Sequence, residues 1–171
     1  AAYLDTLGWV RLRVGRSDEA VTTLERASEL APGEPAIRYR LALAYLADGG
    51  AIGIFPGGTV STAARPFARP MDPGWRSFTA RMIARSGATV VPVYFPGQNS
   101  RAYQIANKVS PILRQGLLIH EVLHRFDKPQ APIIGNPITP DQWEGRIGKP
   151  REFMAWLRAR TLSLRDDPDQ V

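Results

Sequence analysis

The chain has 171 residues, of which 44% are hydrophobic and 22% charged, a composition typical of a soluble globular protein with one ordinary domain or two small ones. It contains no cysteine, which excludes disulfides, thiolate chemistry and cysteine-ligated zinc. No apolar run approaches the roughly 18 residues of a membrane-spanning helix, and no signal-peptide pattern is present. Because the chain opens AAYLDTLG without an initiator Met, we expect a fragment of a longer protein.

The positive charge lies after residue 50. Residues 1–50 hold 6 Lys or Arg and 7 Asp or Glu, whereas the remainder holds 16 and 9. An acidic partner is therefore expected for the later part, the candidates being nucleic acid, anionic lipid headgroups and acidic carrier proteins. No P-loop, nucleotide fingerprint or RNA-binding aromatic motif accompanies the charge, so no nucleic-acid partner is predicted.

Residues 1–50 are predicted to form three helices. Apolar residues recur at helical spacing over 3–31 in two segments, which Gly15 separates and Pro32-Gly33 ends. Ser17 is expected to cap the second helix, and Glu34-Pro35 to begin a third that ends at Gly49-Gly50.

These helices resemble the tetratricopeptide repeat. The 34-residue pattern falls on Leu4, Leu7, Gly8, Gly15, Ala20, Leu24, Ala27 and Pro32. Its small residues permit close packing of helices, and the second repeat breaks off after one helix. About three repeats form a binding groove, so this segment is expected to be a helical cap, with a protein partner as a further possibility.

Residues 51–164 are predicted to be a partial α/β domain of about three strands, at least partly parallel. The apolar residues Ile52, Ile54 and Phe55 stop at Pro56, which indicates a buried strand that delivers a small-residue loop. Further elements are a helix over 75–85 with Phe78 facing inward, a strand over 88–95, a helix over 110–126, a weaker strand over 132–138, a helix over 149–164 and a polar tail over 165–171.

This segment resembles the C-terminal half of the glycerophospholipid acyltransferases, the lysophosphatidic-acid-like and hemolysin-type bacterial enzymes. Their third block, F-P-E-G-T-R-S, corresponds to Phe55, Pro56, Gly57, Gly58, Thr59, Val60 and Ser61, and their fourth, V-P-V, to Val91, Pro92 and Val93. The resemblance implies acyl transfer in phospholipid biosynthesis, with acyl-CoA or acyl-carrier protein as donor and a lipid acceptor. It also implies a cytoplasmic protein, or one peripheral at the inner membrane face, without a cofactor.

The third block implies that Phe55–Ser61 bind the polar head of the acceptor. Gly57 replaces the usual Glu and Val60 the usual Arg, which argues against ordinary glycerol-3-phosphate recognition. Arg65 and Arg69 are then expected to supply cationic contacts.

The family's catalytic H-x4-D block has no counterpart before Phe55, where the chain has no histidine. In that block the histidine deprotonates the acceptor hydroxyl. The resemblance therefore implies a catalytically incomplete acyltransferase-type segment fused to a tetratricopeptide-like cap. A non-catalytic helical interaction module is the first alternative.

A second alternative is a zinc hydrolase. His120-Glu121-Val122-Leu123-His124 spells H-E-x-x-H, in which two histidines one helical turn apart share a zinc and the glutamate polarises its water. The chain has no third histidine. A carboxylate such as Asp141, Glu144 or Glu152 would have to complete the site.

Overall fold

The computed structural model describes residues 1–63, 70–126 and 128–166. Its first three helices are α1 (Ala2–Arg13), α2 (Ser17–Leu30) and α3 (Pro35–Ala47). They are followed by α4 (Ser77–Ser86), β1 (Val93–Tyr94), α5 (Arg101–Val109), α6 (Pro111–Arg125), β2 (Ile133–Ile134), α7 (Pro140–Ile147) and α8 (Pro150–Ser163).

The first three helices lie where the sequence predicts them. Local signals set their ends, since Gly15 and Gly49 have positive φ angles of 81° and Pro35 begins α3. The capping prediction is wrong in one detail. Ser17 is the first residue of α2, Arg16 is the N-cap without a side-chain bond, and the Ser17 hydroxyl bonds Asp48 at 3.0 Å.

The strand predicted before Pro56 does not form. Residues 51–55 have no strand partner among the described residues, Ile54 is 38% exposed and Phe55 is 81% exposed. An apolar run of this length predicts burial only if a neighbouring strand covers it, and the described part of the chain offers none. Phe78, which the sequence places inward, is 45% exposed, whereas Met82 and Ile83 on the same helix are buried.

The chain therefore combines helices with one small sheet, and the predicted layered sheet of about three strands is not present in residues 1–63, 70–126 and 128–166. β1 pairs with β2 in antiparallel register, with Val93 opposite Ile134 and Tyr94 opposite Ile133. An isolated bridge joins Val90 to Ile138. The prediction of partly parallel strands is therefore wrong for this sheet: an α5–α6 hairpin, which returns the chain, connects its strands.

The chain divides into two compact units. Unit 1 comprises Ala1–Ile54 and Arg81–Ala88, and unit 2 comprises Phe55–Ala80 and Thr89–Val171. A small cluster of fully buried side chains lies at the centre of unit 1, namely Ala20, Leu24 and Ala44, with Leu12, Val21 and Leu41 packed against it. The largest buried side chains of unit 2 come from α5, the β2–α7 connection, α7, and α8 with its C-cap: Tyr103, Ile138, Trp143, Phe153, Met154 and Leu164.

No helix within the described ranges is both long enough and apolar enough to cross a lipid bilayer.

Candidate functional site

The loop Phe55–Ser61 is held in shape by its own backbone. The Gly58 amide donates to the Phe55 carbonyl at 3.1 Å, which closes a tight turn over Pro56 and Gly57. Gly58 has a φ angle of 67°, a conformation that favours glycine. The Arg76 amide donates to the Pro56 carbonyl at 3.2 Å, so the turn is also tied to the start of α4.

Asp72 fixes the far end of the loop. Its Oδ1 atom accepts a hydrogen bond from the Ser61 hydroxyl, and its Oδ2 atom accepts one from the indole N–H of Trp75 at 3.3 Å. The Asp72 carbonyl accepts from the guanidinium of Arg158 on α8. Two charge-assisted bonds to one carboxylate hold it in a single orientation beside the loop.

A short antiparallel bridge brings Asp72 into this position. Thr62 pairs with Met71, whose amide donates to the Thr62 carbonyl at 3.1 Å. Next to it, the Ala63 amide donates at 2.9 Å to the side-chain carbonyl of Gln104, which is buried in α5. The chain therefore returns on itself after Ser61, and Asp72 and Arg76 lie beside the loop Phe55–Ser61.

Two charged side chains flank the two glycines. A Cβ atom placed on Gly57 would lie 3.9 Å from Oδ2 of Asp72, and one placed on Gly58 would lie 3.7 Å from Nε of Arg76. Asp72 and Arg76 thus place one negative and one positive charge beside the two glycines of the loop. Arg76 is exposed and forms no ion pair within the described residues.

The structure describes the predicted loop residues Phe55 to Ser61, but not the predicted Arg65. Phe55 is exposed, and its ring centroid lies 6.5 Å from that of Phe95 at the end of β1. Thr59 is exposed, and the Ser61 hydroxyl is used on Asp72. Arg65 and Arg69 lie outside the described residues.

The sequence reasoning missed Asp72, Arg76 and Arg158. Asp72 and Arg76 stand in the Pro/Arg-rich segment after the loop, where no periodicity marks a site. Their placement depends on the Thr62–Met71 bridge, and Arg158 joins them from α8, 86 residues from Asp72. No sequence signal could have identified contacts of this kind.

The H-E-x-x-H segment lies on α6, away from any cluster of ligands in the described parts of the chain. His120 and His124 are exposed and stack on each other, with ring centroids 4.4 Å apart. No group of three His, Asp or Glu side chains that could hold a metal occurs among the described residues. The three carboxylates named from the sequence, Asp141, Glu144 and Glu152, therefore do not complete a site.

Glu121 has a structural partner. It is 8% exposed, and its carboxylate accepts a hydrogen bond from the Ser100 amide at 3.1 Å. Burial raises the pKa of Glu121, but the hydrogen bonds from Ser100 and the charges of His120 and Arg125 outweigh it, so the pKa lies below its ordinary value. Ser100 is the N-cap of α5, and its hydroxyl accepts a hydrogen bond from the Tyr103 amide at 3.2 Å. Glu121 thus fastens the start of α5 to α6.

In comparisons with known proteins, this chain matches no protein-family model, no curated protein and no solved structure.

Proposed function

We propose that this chain is an acyltransferase-type fragment that binds the anionic polar head of a lipid acceptor at the loop Phe55–Ser61. The observation that carries the proposal is the position of Arg76, whose guanidinium lies beside Gly58 without an ion-pair partner in the described residues. A guanidinium next to a backbone that has no side chain can reach a phosphate or carboxylate directly.

The other groups of the loop suit such a head. The glycines leave the backbone open to close approach, and the exposed Thr59 hydroxyl can donate or accept a hydrogen bond. Asp72, already oriented by Ser61 and Trp75, presents a carboxylate that can accept from an acceptor hydroxyl. This pairing of one cation with one anion fits a ligand that carries both a phosphate and a free hydroxyl.

The two departures from the acyltransferase block are consistent with this reading. The block's usual acidic residue is replaced by Gly57, which Asp72 approaches. Its usual arginine is replaced by Val60, close to the loop segment that Arg76 flanks. Asp72 and Arg76 would then supply the negative and positive charges that the block carries at positions 57 and 60. The loop would still bind a polar head.

Catalysis is a separate matter. Acyl transfer to a hydroxyl needs a general base within hydrogen-bond reach of it. The only two histidines stand on α6, exposed and stacked on each other, and none precedes Phe55. We therefore propose that this chain supplies acceptor binding and that a His-Asp block from another segment or partner is needed for transfer from acyl-CoA or acyl-carrier protein.

The test measures binding of a short-chain lysophosphatidic acid, which stays monomeric in water, against the uncharged monoacylglycerol of the same chain length. We expect the phosphate-bearing lipid to bind more tightly and Arg76→Ala to weaken its binding about tenfold, the scale of one lost charge-assisted contact. Arg151→Ala is the matched control, since Arg151 is an exposed arginine on α8. It should change the affinity less than about twofold.

Two results would overturn the proposal: no preference for the phosphate-bearing lipid, or equal losses in the two arginine variants. A parallel assay with labelled acyl donor should show no transfer by the chain alone. Turnover that survives replacement of both histidines would show that the chain has a base we have not identified.

A further inference from the structure

The small sheet of unit 2 has one buried face and one exposed face. Along β1 and the residues beside it, exposure alternates from one residue to the next, which is the pattern of a strand with two unlike faces. Ile134 lies directly opposite Val93 in the register, so these two side chains stand on the same face. We call the exposed set the β1 face; its members are Val91, Val93, Phe95 and Ile134, each between 39% and 52% exposed.

The opposite face of the sheet is covered. Pro92 and Gly135 are buried, and the Gly135 amide donates to the Pro92 carbonyl at 2.9 Å. A Cβ atom placed on Gly135 would lie 2.9 Å from Cδ2 of Leu164, the buried C-cap residue of α8. The sheet therefore packs on α8 through one face, whereas the β1 face stays open to solvent in the described part of the chain. Contiguous exposed apolar surface of this kind marks an interaction site.

The β1 face continues into the candidate site. Phe55 is 81% exposed, and its ring centroid lies 6.5 Å from that of Phe95. Phe55 is the first residue of the loop, and the Arg76 amide is bonded to the carbonyl of the next residue, Pro56. The guanidinium of Arg76 lies beside Gly58. The apolar surface thus begins beside a cation, which is complementary to a molecule that joins an anionic group to an apolar chain.

The size of the β1 face decides what kind of apolar group fits it. From Val91 to Phe95 the backbone rises about 13 Å, at about 3.3 Å per residue. Four side chains of the sheet and the Phe55 ring form the whole surface, whereas a stable protein interface takes about 20–30 residues from each partner. An extended alkyl chain advances about 1.3 Å per carbon, given a C–C bond of about 1.5 Å, so roughly ten carbons would span the face.

We propose that the β1 face binds the alkyl chain of the lipid whose anionic head is held at Arg76, so that the ligand is a single-chain anionic lipid with its chain along β1. This inference rests on the proposed head binding and adds the surface that selects chain length. The chain passes Phe55 and Phe95 first, and about six carbons cover the 6.5 Å between the two rings. Only a longer chain reaches Val93 and Val91. These side chains suit an alkyl chain because they carry no polar group that it would leave unpaired.

The experiment measures the affinity of the unaltered chain for lysophosphatidic acids by titration calorimetry, each lipid below its critical micelle concentration. The acyl chains have roughly six, eight, ten and twelve carbons, a series in which each methylene, if fully buried, would strengthen binding about fourfold. A chain that lies on an open face keeps one side in water. We therefore expect about twofold per methylene up to roughly ten carbons and little gain beyond that length.

The variant Val91→Thr/Val93→Thr keeps two β-branched side chains and puts hydroxyl groups on the β1 face. It should weaken binding of the ten-carbon lipid about fivefold and that of the six-carbon lipid less than about twofold, because the shorter chain ends before Val93. The control Val10→Thr/Val14→Thr makes the same change in α1 and at its C-cap, where the two valines are 50% and 64% exposed. It should leave both affinities unchanged, and circular dichroism should show both variants folded.

Equal affinities at all chain lengths, or a chain-length dependence that Val91→Thr/Val93→Thr leaves unchanged, would overturn the chain site. So would a dimer of the unaltered chain that this variant dissociates, because a second copy would then cover the β1 face. Arg76→Ala should weaken all four lipids by the same factor of about ten, since it removes a contact to the head alone. If it weakens none of them while the valine variant still acts on the longer chains, the head-binding proposal fails and the chain site stands.

Discussion

Gly8 lies where α1 meets α2, and we expect Gly8→Ala to destabilise unit 1. A Cβ atom at this position would stand 2.5 Å from Cγ and 2.9 Å from Cδ2 of Leu24. Leu24 is fully buried beside Ala20 and Ala44. Because the closest atom is the branch carbon of a packed leucine, rotation of its terminal methyl groups cannot relieve the contact.

Two opposing effects decide the magnitude. Overpacking of a filled core costs about 1–3 kcal/mol, whereas alanine is preferred over glycine inside a helix by about 1 kcal/mol. Because the new Cβ would lie only 2.5 Å from a buried branch carbon, the overpacking cost is expected in the upper part of that range, about 2–3 kcal/mol. The net expectation for Gly8→Ala is therefore a loss of about 1–2 kcal/mol in the free energy of unfolding. Gly145→Ala in α7 is the matched control, because no atom lies within 4 Å of the added Cβ. It should gain up to about 1 kcal/mol.

Urea unfolding followed by far-UV circular dichroism measures both variants. A Leu24→Ala background supplies the decisive comparison, because it removes the atoms that the new methyl group meets. In that background Gly8→Ala should become neutral or stabilising, with a coupling of at least about 1 kcal/mol between the two sites. A Gly8→Ala variant as stable as the unaltered chain, or one equally harmed in both backgrounds, would refute the packing argument.

Two further predictions concern single carboxylates. Glu121→Gln should cost about 1 kcal/mol at neutral pH. Because the pKa of Glu121 is lower in the folded protein than in the unfolded chain, its contribution is complete above the unfolded-state pKa and is lost as the pH falls through the folded-state pKa. Urea unfolding at acidic pH should therefore show the variant and the unaltered chain converging, and a gap that persists would contradict this. Asp72→Ala should cost about 1–2 kcal/mol and shift the indole N–H resonance of Trp75 in NMR spectra, while Asp72→Asn keeps an acceptor and should do less. An unshifted indole resonance would show that Asp72 does not hold Trp75.

The sequence predicts the helices well where their signals are local. Helices α1 to α3 repeat apolar residues every three to four positions and end at glycine or proline, so neighbouring residues alone determine them. Helix α7 was missed although its signal is equally local. Thr139 and Gln142 form a capping box around Pro140 at the first helical position, a pattern that is legible in the sequence.

The strands and the site depend on distant residues, and the sequence predicts them poorly. An apolar run such as that ending at Phe55 specifies extended backbone without specifying a partner, and here the run stays unpaired among the described residues. The loop itself could be identified in the sequence from its proline, glycines and hydroxyl-bearing residues. Its charged neighbours Asp72 and Arg76 could not, because the Thr62–Met71 bridge, which no sequence pattern marks, places them there.

The bond between Ser100 and Glu121 also bears on how this region folds. Helix α5 has nine residues, fewer than the roughly 12–15 that an isolated helix needs to be even marginally stable in water. The amide of its N-cap, Ser100, donates to Glu121 of α6, so this hydrogen bond at the start of α5 forms only when α6 is already in place. The two helices should consequently open and close as one cooperative unit. In hydrogen exchange, the amides of Ser100 and Tyr103 would then report the opening of the pair, and α6 could not detach from the protein without melting α5.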